Sequence, residues 1–112
     1  MNVTRINSAE SYVAVNHHGC EALRLQGADV SAVTSFWVGL STFEPGGGAD
    51  WDTTNAEKVY VVLEGEITVE TESESVTLRA KDSVFLAANE RRRVINGSDG
   101  PAVMAVVIAP GS

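Results

Sequence analysis

Turn-forming residues return at short intervals along the whole chain, and no stretch between them carries a helical period. The turns read as His18-Gly19, Gln26-Gly27-Ala28-Asp29, Pro45-Gly46-Gly47-Gly48, Glu64-Gly65, Asn96-Gly97-Ser98-Asp99-Gly100 and Pro110-Gly111. Between and beside them lie short alternating or β-branched segments. These are Ser11 to Val15, Glu21 to Leu25, Ser35 to Phe43, Val59 to Leu63, Ile67 to Glu72, Ser75 to Leu78, Val84 to Leu86, Arg93 to Ile95 and Ala102 to Ile108. That rhythm predicts an all-β barrel or sandwich. Asp50 to Ala56 has capping residues for at most one helical turn, too short and polar to hold a core.

With 112 residues, 44% of them hydrophobic and 21% charged, the chain is expected to form one domain over residues 1–112, without linker or repeat. Fifteen Asp and Glu against eight Lys and Arg give a net charge of −7, and three of the cations are bunched at Arg91-Arg92-Arg93. No basic face is left to track phosphates, so nucleic acid is not expected as a partner. No apolar run approaches the roughly 20 residues of a membrane span, and Met1 to Val15 has no signal-peptide pattern. A cytoplasmic location with no membrane partner is the expectation. The single Cys20 has no CxxC partner and reads as a packed thiol.

Glu70, Glu72 and Glu74 alternate with hydroxyl residues, which predicts three carboxylates on the water-facing side of one strand. In Arg91-Arg92-Arg93 the middle residue of a strand faces opposite to its neighbours, so one face alone of the triplet is internal.

Pro45 to Val69 and Leu78 to Asn96 together resemble the cupin superfamily of small β-barrels. The first cupin motif is usually written G-x5-H-x-H-x3,4-E-x6-G, and Gly46, Asp52, Thr54, Lys58 and Gly65 stand at its positions. The second is written G-x5-P-x-G-x2-H-x3-N, with Lys81, Ala87, Asn89, Arg92 and Asn96 at its positions. The resemblance implies a single cupin barrel, a double-stranded β-helix or jelly roll. It also implies a homodimer packed through N-terminal strands, with Tyr12, Val13 and Val15 able to pair. The family's usual metal ligands are two His, a Glu and a third His, and here those places carry Asp52, Thr54, Lys58 and Arg92. A protonated ammonium and a guanidinium offer no lone pair, so the expected cofactor set is none and the family's metal-dependent activities do not carry over.

What carries over is a lumen in which Asp52, Lys58 and Arg92 converge, with Tyr60 on the Lys58 face and Asn96 on the Arg92 face. An Asp52 bridge to Lys58 or Arg92 is expected, leaving one positive charge for a small anionic organic molecule. In that reading Lys58, Tyr60 and Asp52 are the catalytic residues of a metal-independent isomerase, lyase or decarboxylase working by proton transfer. Arg92, Thr54, Asn96 and Trp51 bind the ligand, Trp51 at the barrel mouth after a flexible Gly46-Gly47-Gly48 loop. Two alternatives stay open. The lumen can hold a ligand without changing it, or serve as a salt-linked plug. A one-residue slip can also turn Glu57 inward in place of Lys58, and Glu57, Asp50, His17 and His18 then become candidate metal ligands.

Overall fold

A computed structural model describes residues 1–111. Nine strands carry the chain: β1 Glu10–Tyr12, β2 His17–Gln26, β3 Trp37–Asp52, β4 Glu57–Glu64, β5 Glu66–Thr71, β6 Ser75–Arg79, β7 Ser83–Leu86, β8 Arg92–Ile95 and β9 Ala102–Ala109. Each strand segment expected from the turn spacing is present in whole or in part, Ser11 to Val15 only as far as Tyr12. A three-residue 3-10 turn, Ile6–Ser8, is the one helical element among the described residues. No helix among the described residues is long and apolar enough to cross a membrane.

The strands run in the order β6-β5-β8-β3-β9-β4-β7, with β2 pairing β3 and β1 pairing β2, and every pairing is antiparallel. The result is a nearly closed jelly-roll barrel. Its long strand β3 touches β2, β9 and β8 in turn, which leaves little exposed edge. Alternation decides the inside. Along β4 Lys58, Tyr60 and Val62 are buried while Glu57 is exposed, and along β8 Arg92 and Val94 are buried. Phe43, Val62, Ile67, Val69, Leu78 and Met104 pack one end as an apolar core.

Pro45 to Gly48 is not a flexible loop. The segment is strand within β3, where the barrel needs backbone against backbone. A Cβ on Gly47 would stand 2.3 Å from the Gly19 carbonyl oxygen, and one on Gly48 would stand 2.1 Å from that of Val94. Glycine is required there for close approach, a use of the residue that looks like a turn when read from sequence alone. The helical turn allowed at Asp50 to Ala56 is also absent, because β3 continues to Asp52 and pairs it with Arg92. β5 ends at Thr71, so Glu72 and Glu74 sit in the β5–β6 turn and Glu70 alone keeps a place in the strand.

Candidate functional site

One end of the barrel holds a cavity of about 330 Å³, within the usual size range of small-molecule sites. β3, β4, β8 and β9 supply its walls with Ser41, Phe43, Tyr60, Val94, Met104 and Val106. Asp52, Thr54, Lys58 and Arg92 stand in it together, as the two-residue alternation of β4 and β8 requires. The Glu57 and Lys58 register is thereby fixed, with the ammonium inward and the carboxylate outward.

Lys58 is 8% exposed and Arg92 5% exposed, yet neither meets a carboxylate. Lys58 Nζ donates to Thr54 Oγ1 at 2.7 Å. Arg92 Nε donates to Tyr60 Oη at 3.1 Å, and its Nη1 donates to the Asp50 carbonyl at 3.1 Å. The ion pairs found among the described residues involve neither cation. The bridge expected from Asp52 does not form. Asp52 turns instead to the Thr53 N–H at 2.8 Å and the Asn16 side-chain amide at 3.3 Å, because a short side chain at a strand end reaches its own turn before it reaches across the barrel. Two buried positive charges are therefore held by neutral oxygens alone. Burial and the Arg92 charge push the Lys58 ammonium below the usual lysine range, with Asp52 opposing weakly. Burial pushes the Tyr60 phenol up, so it stays protonated, and since its oxygen accepts from Arg92 its own hydrogen is free to point into the cavity. Asp52 is pulled below the usual carboxylate range, first by the Thr53 N–H, and remains ionised at neutral pH.

Trp51 and Asn96 are placed elsewhere. Trp51 alternates with Asp52 and so lies on the outer face, with the guanidinium carbons of Arg91 and Arg93 at 4.7 and 5.4 Å from its ring centre. Asn96 is wholly buried, and its amide nitrogen donates to the carbonyls of Phe43, Glu44 and Gly100. That is a clasp between β3 and the loop after β8, away from the cavity. The candidate metal set does not assemble either. Glu57 faces out, Asp50 is exposed with His18 Nδ1 at 3.5 Å, and His17 alone of the four lines the cavity. A group of three His, Cys, Asp or Glu side chains suited to a metal is absent among the described residues. Cys20 is half-buried, and burial pushes its thiol up, away from the thiolate.

No motif or local pattern places Tyr12, Arg24 and Trp37 in the site, yet all three line the cavity. Arg24 lies 4.8 Å over the Tyr12 ring, and Tyr12 meets Trp37 edge to face at 5.6 Å. Val13 to Val15, expected to continue the strand, lie beyond the end of β1 at Tyr12 and line the cavity instead.

Four backbone positions bear on the family. Gly46 and Gly65 of the first motif have φ of 82° and 71°, and Lys81 and Asn89, at the two glycine positions of the second, have φ of 77° and 67°. The left-handed turns persist where the glycines do not. The family model described as a cupin domain matches residues 39–108. The chain is a cupin. A relative from Mycobacterium tuberculosis, named a β-D-galactosidase, is 42% identical over 109 residues, covering 97% of this cupin and 94% of the relative. The polyketide cyclase structure from Streptomyces resistomycificus superposes with a TM-score of 0.85 at 13% identity, over 97% of this chain and 79% of that one. A cupin from Silicibacter pomeroyi described as a sugar phosphate isomerase gives a TM-score of 0.79 at 21% identity, over 94% and 73% of the two chains.

The residues at the family's ligand positions do not fit a divalent metal. Lys58 and Arg92 bring two positive charges into the space such an ion needs, and among the described residues Asp52 is the one carboxylate lining the cavity. What the arrangement can do is bind negative charge, donate protons from Lys58 and Tyr60, and exclude water behind an apolar wall.

Proposed function

We propose that this cupin is an enzyme that holds a small hydroxylated carboxylic acid of about sugar-acid size and moves a proton on it, in an isomerisation, elimination or decarboxylation that needs no metal. One observation carries the reading: two buried cations, Lys58 and Arg92, share a small cavity and have only neutral partners. A carboxylate completes them, gripped by the Arg92 fork and the Lys58 ammonium. Thr54 orients Lys58, and Tyr60 orients Arg92 and supplies a second proton. Asp52 balances part of the positive charge from the cavity rim. As negative charge develops on the ligand, both cations stabilise it more strongly than they stabilise the ground state.

A second reading is favoured by the mycobacterial relative, whose name supports hydrolysis of a β-galactoside. Asp52 would then be the ionised carboxylate beside the sugar carbon, with Tyr60 or Lys58 as the acid on the leaving oxygen. Against it stands the charge of the cavity, since glycoside cleavage passes through a positively charged sugar and ordinarily uses two carboxylates.

The test is a calorimetric titration of EDTA-treated protein with D-galacturonate, other short hydroxy acids and neutral D-galactose, beside an assay on p-nitrophenyl β-D-galactopyranoside. Acids that bind while galactose does not, with the binding lost in Arg92→Leu, support the first reading. Release of p-nitrophenol that survives Arg92→Leu and vanishes in Asp52→Asn overturns it for the second. Tight binding without change in any ligand makes the cavity a carrier site.

A further inference from the structure

The proposed chemistry needs a group that can accept a proton, and the cavity groups considered so far are poorly suited to it. Lys58 is held as a hydrogen-bond donor by Thr54, Tyr60 keeps its proton, and Asp52 is turned to the rim. His17 differs from all three. It opens β2 and lines the cavity, and its ring stacks on the buried Phe43 at 6.4 Å between centres and 16° between planes. Its Nδ1 lies 2.7 Å from the Val15 carbonyl oxygen. A carbonyl only accepts, so Nδ1 carries the hydrogen and Nε2 carries the lone pair in the neutral ring. Nε2 has no hydrogen-bond partner among the described residues, and it is not among the polar atoms closed off from solvent.

The local fold explains why this ring and not its neighbour is available. The register between β2 and β3 shifts between His18 and Cys20, at Gly19 with φ of 54°. The shift lies beyond both histidines, so ordinary strand alternation holds between them, and His17 faces the barrel while His18 faces Asp50 outside it. Burial pushes the His17 ring below the usual imidazole range, toward the neutral form; the Val15 carbonyl opposes it, the Arg92 charge adds to it, and Asp50 and Asp52 of β3 oppose.

We propose that His17 is the proton acceptor of this site, its Nε2 taking a proton from the carbon next to the ligand's carboxylate while Arg92 and Lys58 hold the charge that forms. The inference rests on the acid-binding reading given above. In the step the C–H bond breaks, its electron pair passes into an enolate on the carboxylate oxygens, and the proton ends on Nε2 as an imidazolium. In an isomerisation the imidazolium returns the proton to the chain. In an elimination the electron pair expels a hydroxyl or alkoxyl group two carbons from the carboxylate carbon, and the Lys58 ammonium protonates it.

Two measurements test this. Long-range proton–nitrogen NMR of the wild type at pH 7, assigned with His17→Gln, is expected to show His17 neutral with hydrogen on Nδ1; hydrogen on Nε2 or a charged ring overturns the proposal. D-galacturonate in heavy water is expected to take up deuterium next to its carboxylate, with His17→Gln slower by about 100-fold or more and His18→Gln unchanged. His17→Gln should still bind the acid within about threefold of wild type, which separates loss of a base from loss of the fold. Undiminished exchange in a folded His17→Gln overturns the proposal and leaves acid binding intact. If wild type binds neither D-galacturonate nor shorter hydroxy acids, the acid-binding reading fails and takes this step with it, whatever the tautomer.

Discussion

Arg92 and Arg93 are neighbours in β8, and the barrel treats them in opposite ways. Arg93 points out, where its Nε and Nη2 both donate to Glu70 of β5 and its guanidinium lies against Trp51. Arg92 points in, where a phenol and a backbone carbonyl are its partners. Charge is neutralised on the face that water already screens and left without a carboxylate partner on the buried face. A chain selected for stability alone would do the reverse, because an unpaired buried cation is destabilising and an exposed ion pair contributes at most about 1 kcal/mol. On the acid-binding proposal, the inner face is where stability is given up for the ligand.

The most severe way to break this comparison is to remove the register that separates the two arginines. Gly48→Val puts a side chain into the Val94 carbonyl, and we expect a loss of more than about 3 kcal/mol or failure to fold, read by denaturant titration. Arg92→Leu should weaken binding of the acid about 100-fold by calorimetry while the protein stays folded, since a charge-assisted pair of about 2–3 kcal/mol is removed. Lys58→Met should raise stability by about 1 kcal/mol, seen as a higher Tm, while weakening the same binding. The gain depends on pH. A lysine whose pKa is lower folded than unfolded destabilises the native state at low pH, where it is charged in both states. That burden lifts as pH rises through the folded pKa, so the Lys58→Met advantage should shrink from pH 7 toward pH 10. Glu70→Gln, on the outer face, should lower stability by about 0.5 kcal/mol or less, fading with added salt, and leave binding unchanged.

The strands were legible because alternation and turn residues are local signals, and the inward placement of Lys58, Tyr60 and Arg92 followed from period two once the motif spacing was aligned. Lys81 and Asn89 made that alignment harder to see, since each adopts a left-handed turn without the glycine that would announce it. Gly47 and Gly48 misled in the other direction, because a glycine needed for backbone contact looks like one needed for a bend. Trp51 was misplaced with them: with the segment read as a loop, nothing set its phase relative to Asp52. His17, Arg24 and Trp37 reach the cavity through β2 and the start of β3, outside the motifs, and their meeting depends on tertiary pairing and on the shift at Gly19, which no local pattern encodes. The expected Asp52 bridge failed on geometry of another kind, since co-facing charges need not touch when a nearer turn amide is available.

Asn96 is followed by Gly97, the dipeptide in which a chain ages fastest, by attack of the glycine nitrogen on the asparagine side chain to give a cyclic imide and then aspartate or isoaspartate. Here that amide cannot turn toward its attacker. Its nitrogen donates to three carbonyls, and its oxygen accepts from the backbone N–H and hydroxyl of Ser98. The folded barrel thus protects its most perishable bond with the clasp that joins β3 to the loop after β8. Accumulation of isoaspartate at residue 96 in stored protein becomes a slow clock for how often that clasp opens.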